Sequence, residues 1–226
     1  ARALADKVGA VKDGFTGFGV VQTAASRVAG LDLGLVPGEG GKDTAAMIAA
    51  AQSGEIELLF LLGADEIDTD ALGAATVVYI GTHGDKGAHR ADIILPGAAY
   101  TEQDGTYVNM EGRVQRARRA VFAPGQAKED WAIMRALSGL LDQPLPYNSR
   151  EQLVAAMVED APHLGAIDQI AAAEWSAFGT SGSLSGAAPF GSVIDDFYLT
   201  NPIARASAVM AECSALARGG FKQAAE

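Results

Sequence analysis

Three short apolar runs decide the fold: "IELLFLLG" at residues 56–63, "ATVVYIGTH" at 75–83 and "ADIILPG" at 91–97. Each has the length of a strand, and the second is rich in β-branched residues. Near-continuous apolar character marks strands buried on both faces, the pattern of a parallel sheet. Helical segments lie between and around the runs. Asp43 or Thr44 can cap "AAMIAAAQSG", which Gly54 ends. Residues 68–73 can hold a short helix. Short buried strands alternating with helices predict an α/β fold, a mostly parallel sheet with helices on both faces. Pro96-Gly97 ends the third strand, because proline lacks the donor a ladder needs. "RAVFAPG" at 119–125 reads as a short fourth strand. A helix over 129–141 follows, capped near Ala127 or Lys128, with Trp131, Met134, Leu137 and Leu141 on one face.

Toward the N-terminus, Leu4, Val8 and Val11 have helical spacing. "GFTGFG" at 14–19 breaks it, as a loop between helices. The periodicity resumes through Val20, Ala24, Val28 and Leu31, and 37–41 is a loop. Past Pro144 the character changes. "PLPYNSREQLVAAMVEDAPHLG" reads as a small helix after a Pro-rich turn. Residues 179–191 read as a mobile loop. Asn201 is an N-cap with Pro202 at the first helical position. Ile203, Ala206, Met210, Cys213 and Ala217 then form one stripe, stopped by Gly219-Gly220. The expected division is an N-terminally truncated α/β domain over 1–143 and a helical, loop-rich extension over 144–226. The chain starts at Ala1, and its opening reads as the middle of something helical, which suggests a piece of a longer polypeptide.

Composition excludes several functions. Lys and Arg number 17 against 28 Asp and Glu, a net charge of -11, which disfavours nucleic acid and anionic lipid as partners. The one cysteine, Cys213, excludes an internal disulfide framework. It also excludes a self-contained iron–sulfur cluster, which takes about four thiolates. No apolar run approaches the roughly 20 residues of a membrane span.

Several clusters invite chemistry. "GTHGDKGAH" and its flank bring His83, Asp85, His89 and Asp92, all metal-ligand types. They lack a fixed helical or hairpin spacing, so a strand-exit loop is the better reading. That loop lies where open α/β sheets bind ligands. "GFTGFG" fails as a phosphate cradle because no strand precedes it. Arg113, Arg116, Arg118 and Arg119 make a local positive patch, more simply a solvated hairpin edge. Cys213 sits in an apolar stripe, as an inert thiol does. There is no Gly-x-Ser-x-Gly elbow. Glu102, Asp104 and Glu111 are close in sequence, but paired acid/base work depends on their separation in space.

The stretch 91–115, "ADIILPGAAYTEQDGTYVNMEGRVQ", holds no nucleophile, yet it is dense in residues that shape a backbone. Asp104-Gly105 is a turn dipeptide. "TYVN" is short and extended. Asn109 and Glu111 can accept hydrogen bonds from turn amides, and Arg113 can pair with Glu102 or Glu111. These residues resemble the signature of the molybdopterin oxidoreductase superfamily: Asp92, Leu95, Pro96, Glu102, Gly105, Thr106, Asn109, Glu111, Gly112, Arg113 and Gln115.

Other stretches narrow the likeness. "LLFLLGADE", "KEDWAIMRALS" and "DDFYLTNPIARASAVMAEC" resemble the large iron–sulfur subunit family, of 75-kDa type, of respiratory NADH:quinone oxidoreductase (complex I), with a bacterial composition. The resemblance implies a cofactor-free structural region with no catalytic, cofactor-binding or metal-binding residue of its own. It implies a parent subunit with iron–sulfur clusters in its N-terminal region and a parent complex with FMN that couples NADH oxidation to proton translocation. Partners would be other subunits of the peripheral arm, on the cytoplasmic face of a bacterial inner membrane or the matrix side of an organelle. The alternative is a fragment of a molybdopterin-dependent oxidoreductase such as a formate dehydrogenase.

Overall fold

The computed structural model describes residues 1–24, 27–170, 175–183, 186, 191, 192 and 194–219. In chain order they form helix α1 (Arg2–Lys7), strands β1 (Val11–Lys12) and β2 (Phe15–Thr16), helices α2 (Arg27–Asp32) and α3 (Thr44–Ser53), and strand β3 (Leu58–Leu62). A 3-10 turn (Thr69–Leu72) leads to β4 (Thr76–Gly81), α4 (Lys86–Arg90) and β5 (Ile93–Pro96). Then come β6 (Gly105–Val108), β7 (Val114–Ala117), α5 (Asp130–Leu140), α6 (Arg150–Asp160) and a 3-10 turn (Pro162–Gly165). A further 3-10 turn (Phe197–Leu199), α7 (Pro202–Arg205) and α8 (Ala208–Gly219) complete the described elements. The chain divides into two compact units, one of residues 1–35, 106–117 and 154–193, the other of 36–105, 118–153 and 194–226.

The larger unit holds the three apolar runs as one parallel sheet, in the order β3-β4-β5. Helices flank it, as the alternation predicts. The core joins Leu61, Val77 and Tyr79 of the sheet to Ala51 of α3 and to Leu72 and Ala75. Asp43 caps α3 by accepting the Ala46 N–H at 2.8 Å, and Gly54 closes it at φ 82°, a conformation open to glycine. Central β4 is buried on both faces from Val77 to Ile80. Edge strand β3 is not: Leu59 and Leu61 face the core, whereas Leu58, Phe60 and Leu62 stay exposed. The expectation of a strand buried on both sides therefore holds for β4 alone.

Residues 119–125 are not a strand. Phe122 is exposed under the Arg119 guanidinium, 4.5 Å from its ring centre, and Pro124 has no N–H to donate. Pairing at that edge shrinks to a parallel bridge between Gly97 and Lys128. α5 begins with Glu129 as its N-cap, rather than Ala127 or Lys128. The single C-terminal helix expected from the apolar stripe is two. Asn201 caps α7, accepting the Ala204 N–H at 2.9 Å, and the chain re-starts as α8 where Ser207 Oγ accepts the Met210 N–H at 3.3 Å. Asp196 ties the preceding turn to α8 through Ser214 at 2.5 Å and Arg218 at 2.9 Å.

In the smaller unit the opening helix is shorter than its spacing suggests. Val11 lies in an antiparallel hairpin whose two-residue loop is Asp13-Gly14, a dipeptide suited to that turn. "GFTGFG" is thus partly strand β2, not a loop between helices. Among the described residues of the second helical stretch, helix is found at Arg27–Asp32, and Val20 and Val21 are exposed. β6 and β7 form a two-stranded sheet. Val108 and Val114 pack with Ala161 and Leu164 into this unit's core. Most of residues 184–190 lies outside the described residues, so the loop expected at 179–191 is only partly described.

Candidate functional site

In a parallel sheet the carboxyl ends of the strands are where ligands bind, because helix N-termini and flexible loops converge there. Here that edge is built from the exits of β3 and β4. Asp65, after β3, is 3% exposed, and Tyr79, near the end of β4, is 1% exposed. The Tyr79 hydroxyl donates to Asp65 Oδ2 at 2.9 Å. Burial, then this bond, then the charges of Asp65 and Asp85 push the phenol's pKa upward, so Tyr79 stays neutral.

Gly81 and Gly87 make room for the ring. A Cβ at Gly81 would fall 2.3 Å from Tyr79 Cζ, and one at Gly87 2.6 Å from Tyr79 Cε2. The glycines of "GTHGDKG" thus have a packing reason. The Gly87 N–H donates to Asp65 Oδ1 at 2.9 Å, and the Lys86 N–H to Asp85 Oδ1 at 2.8 Å. Both amides at the start of α4 are therefore filled by the chain's own carboxylates.

The C-terminal segment closes the same edge. Arg205 of α7 pairs through Nε with Asp85 and lies 3.8 Å from Glu66, while its Nη1 donates to the Leu199 carbonyl at 3.1 Å. Burial pushes the Asp85 carboxyl up, but Arg205 and the Lys86 N–H outweigh it and hold the pKa below the usual range. Arg205 Nη2 is buried without a hydrogen-bond partner. Near the exit of β5, a Cβ at Gly97 would meet Asp130 Oδ1 at 2.6 Å. That oxygen is buried and unpartnered, and burial raises the Asp130 pKa.

The four candidate metal ligands do not converge. His83 Nδ1 lies 2.9 Å from Thr82 Oγ1, Asp85 caps α4, and His89 lies within α4. Asp92 Oδ2 accepts the Val77 N–H at 2.8 Å, which, with Arg90, holds its pKa low. Among the described residues no group of three or more His, Cys, Asp or Glu side chains could hold a metal ion.

The signature residues act on backbone. Pro96 is the last paired residue of β5, opposite Gly81. Glu102 Oε2 accepts the Ala99 N–H at 2.9 Å. Asp104 accepts the Arg119 N–H and pairs with Arg150, both at 2.9 Å. Gly105 and Thr106 open β6. Asn109 Oδ1 accepts two amides of the turn before β7, from Glu111 at 2.9 Å and Arg113 at 3.0 Å, and Gly112 takes φ 85° there. Glu111 and Gln115 are exposed. The partner expected for Arg113 was a carboxylate, Glu102 or Glu111. Its Nη1 instead donates to the Asp168 carbonyl at 2.8 Å. Arg116 and Arg118 are exposed, as a solvated hairpin edge requires.

A family model described as molybdopterin oxidoreductase matches residues 1–140. The chain belongs to the molybdopterin oxidoreductase family. A second model, for the C-terminal part of an NADH-ubiquinone oxidoreductase subunit, matches residues 158–213 of this family member. The NADH-ubiquinone oxidoreductase 75 kDa subunit of Reclinomonas americana is 42% identical over 89% of the chain and 29% of its own length. An NADH-quinone oxidoreductase subunit of Rickettsia bellii is 38% identical over 93% of the chain and 29% of its own length. The NADH-ubiquinone oxidoreductase 78 kDa mitochondrial subunit of Neurospora crassa is 42% identical over 91% and 28%. The chain thus spans less than a third of the curated relatives it matches. These names do not favour the formate dehydrogenase-type alternative.

Tyr79, Asp65, Arg205 and Asp130 were not singled out by sequence reasoning. Two signals could have pointed to the first: an aromatic near a strand end, and glycines two and eight residues after it.

Proposed function

We propose that this molybdopterin oxidoreductase family member is a structural, cofactor-free region of the large iron–sulfur subunit of a proton-translocating NADH:quinone oxidoreductase. Its likeness to subunits so named supports the parent. The cofactor-free reading is carried by the strand-exit edge. A phosphate-bearing pterin needs free amides and positive charge. The amides of Lys86 and Gly87 are taken by Asp85 and Asp65. Asp65, Glu66 and Asp85 would also repel phosphate, and Arg205 is already engaged. The residues at this edge do not fit such a group.

The region supports the cluster-bearing part of the subunit and contacts neighbours in the peripheral arm, on the cytoplasmic or matrix side. Among the described residues no helix is long and apolar enough to cross a membrane. The signature residues Asp92, Glu102, Asn109 and Arg113 serve as scaffold, each holding a backbone group. The division at 143/144 is one of descent, supported by family matches ending at 140 and resuming at 158.

The test is metal analysis of the native assembly carrying this chain, with NADH:quinone activity alongside. Abundant iron, no molybdenum and NADH oxidation are expected. Stoichiometric molybdenum with pterin overturns the reading.

A further inference from the structure

Residues 112–128 hold no Asp or Glu. They carry Arg113, Arg116, Arg118, Arg119 and Lys128, five of the 17 Lys and Arg in a chain of net charge -11. Like charges gathered in this way repel one another unless a negative group meets them. In the larger unit nothing meets the middle two. Among the described residues neither Arg118 nor Arg119 has an ion pair. The carboxylates of the loop before β6 are engaged: Glu102 accepts the Ala99 N–H, and Asp104 pairs with Arg150 while accepting the Arg119 N–H.

The segment is nevertheless fixed in place. The Ala120 and Val121 N–H groups both donate to the Thr101 carbonyl, at 2.8 and 3.1 Å, so with Arg119 three consecutive amides are anchored. Beyond them the side chains stand in solvent. Phe122 is 80% exposed beneath the Arg119 guanidinium, and Val121 beside it is exposed too. A guanidinium stacked on a ring uses its face and keeps its N–H edges free for a carboxylate. Two unpaired arginines and an open aromatic, on a backbone already ordered, make a preorganised surface.

We propose that Arg118, Arg119 and Phe122 dock an acidic segment of a neighbouring subunit, which sets carboxylates against the two guanidinium groups and an apolar side chain against the ring. The inference rests on the reading of the chain as part of a multisubunit complex, and it names the chemistry of one contact. Surfaces between chains are enriched in arginine and aromatic residues, whereas the core within a chain rarely takes a charge. Charge complementarity selects an acidic partner. A chain of net charge -11 is repelled by the extended negative surface of a membrane or nucleic acid, but a short acidic segment meets the basic stretch alone.

The test places a photo-cross-linker in the full-length subunit within its assembled complex, as Phe122→p-benzoylphenylalanine. Irradiation should give an adduct with another subunit, mapped by mass spectrometry to a segment rich in Asp and Glu. An adduct within the same polypeptide, with a second copy, with lipid or with a segment lacking Asp and Glu overturns the proposal, as does no adduct. Arg118→Glu with Arg119→Glu should lower retention of the cross-linked subunit at least several-fold. Reversing the charge of the facing carboxylates to arginine should restore it, which repair of a merely misfolded variant would not. Unchanged retention, or a loss that the reversal does not rescue, also overturns the proposal. Iron content and NADH oxidation of the same preparation report separately on the parent assignment. If they hold while the adduct goes elsewhere, only the docking surface is wrong. If the assembly carrying this chain lacks both, the parent assignment itself falls.

Discussion

At the scale of single residues, buried polar groups here serve the backbone. Tyr79 is held between two glycines with its hydroxyl on Asp65, so Tyr79→Phe leaves a buried carboxylate oxygen without its donor. The expected loss is about 1–3 kcal/mol, seen as a lower denaturation midpoint. Arg113 was expected to meet a carboxylate and meets the Asp168 carbonyl instead. Arg113→Ala should cost about 1 kcal/mol, and the loss should be insensitive to salt, because no ion pair is broken. Salt titration of the variant's melting curve checks this. Asn109 could be anticipated from its place before Glu111-Gly112-Arg113, where one side-chain oxygen can reach two turn amides. The Arg113 partner could not, since Asp168 lies far along the chain.

At the scale of elements, capping and turn chemistry were the most legible features. Asp43, Gly54, Asn201 and Pro202 act where their types predict. Apolar spacing alone was less secure. It suggested a helix through Val11, where Asp13-Gly14 folds a hairpin, and one C-terminal helix where Ser207 starts a second. In each case a local side chain or turn dipeptide outweighed periodicity. α5 makes a prediction of its own. Asp130 sits in its first turn, where a carboxylate suits the helix dipole, but Oδ1 is buried without a partner. Burial raises its pKa, so the folded state is penalised while the group is charged. Asp130→Asn should therefore stabilise the protein at neutral pH, by up to about 1 kcal/mol given the group's partial hydration. The gain should vanish below about pH 4, where the wild-type carboxyl is protonated folded and unfolded alike. Melting curves across that range decide it, and a gain that persists in acid would refute it.

At the scale of the whole molecule, the C-terminal segment is secured by Arg205 on Asp85. Asp85 has a lowered pKa, so its contribution is complete above the ordinary carboxylate range and is lost as pH falls through the lowered value. Arg205→Ala should cost about 1 kcal/mol at neutral pH, a modest figure because the pair is partly hydrated. The deficit should narrow in acid, below about pH 4, and parallel unfolding of both proteins against pH checks it. The sequence by itself determined the three parallel strands, the capped helices, the exclusion of a self-contained cluster and the family likeness. Those rest on local patterns: run length, cap residues, thiol count and a contiguous signature. Only the tertiary structure decided that Tyr79 and Asp65 fill the strand-exit edge, that Arg205 closes it, and that β3 leaves one face open. Those features join residues separated by 14 to 120 positions, and burial depends on what the rest of the fold brings alongside, which no local pattern records.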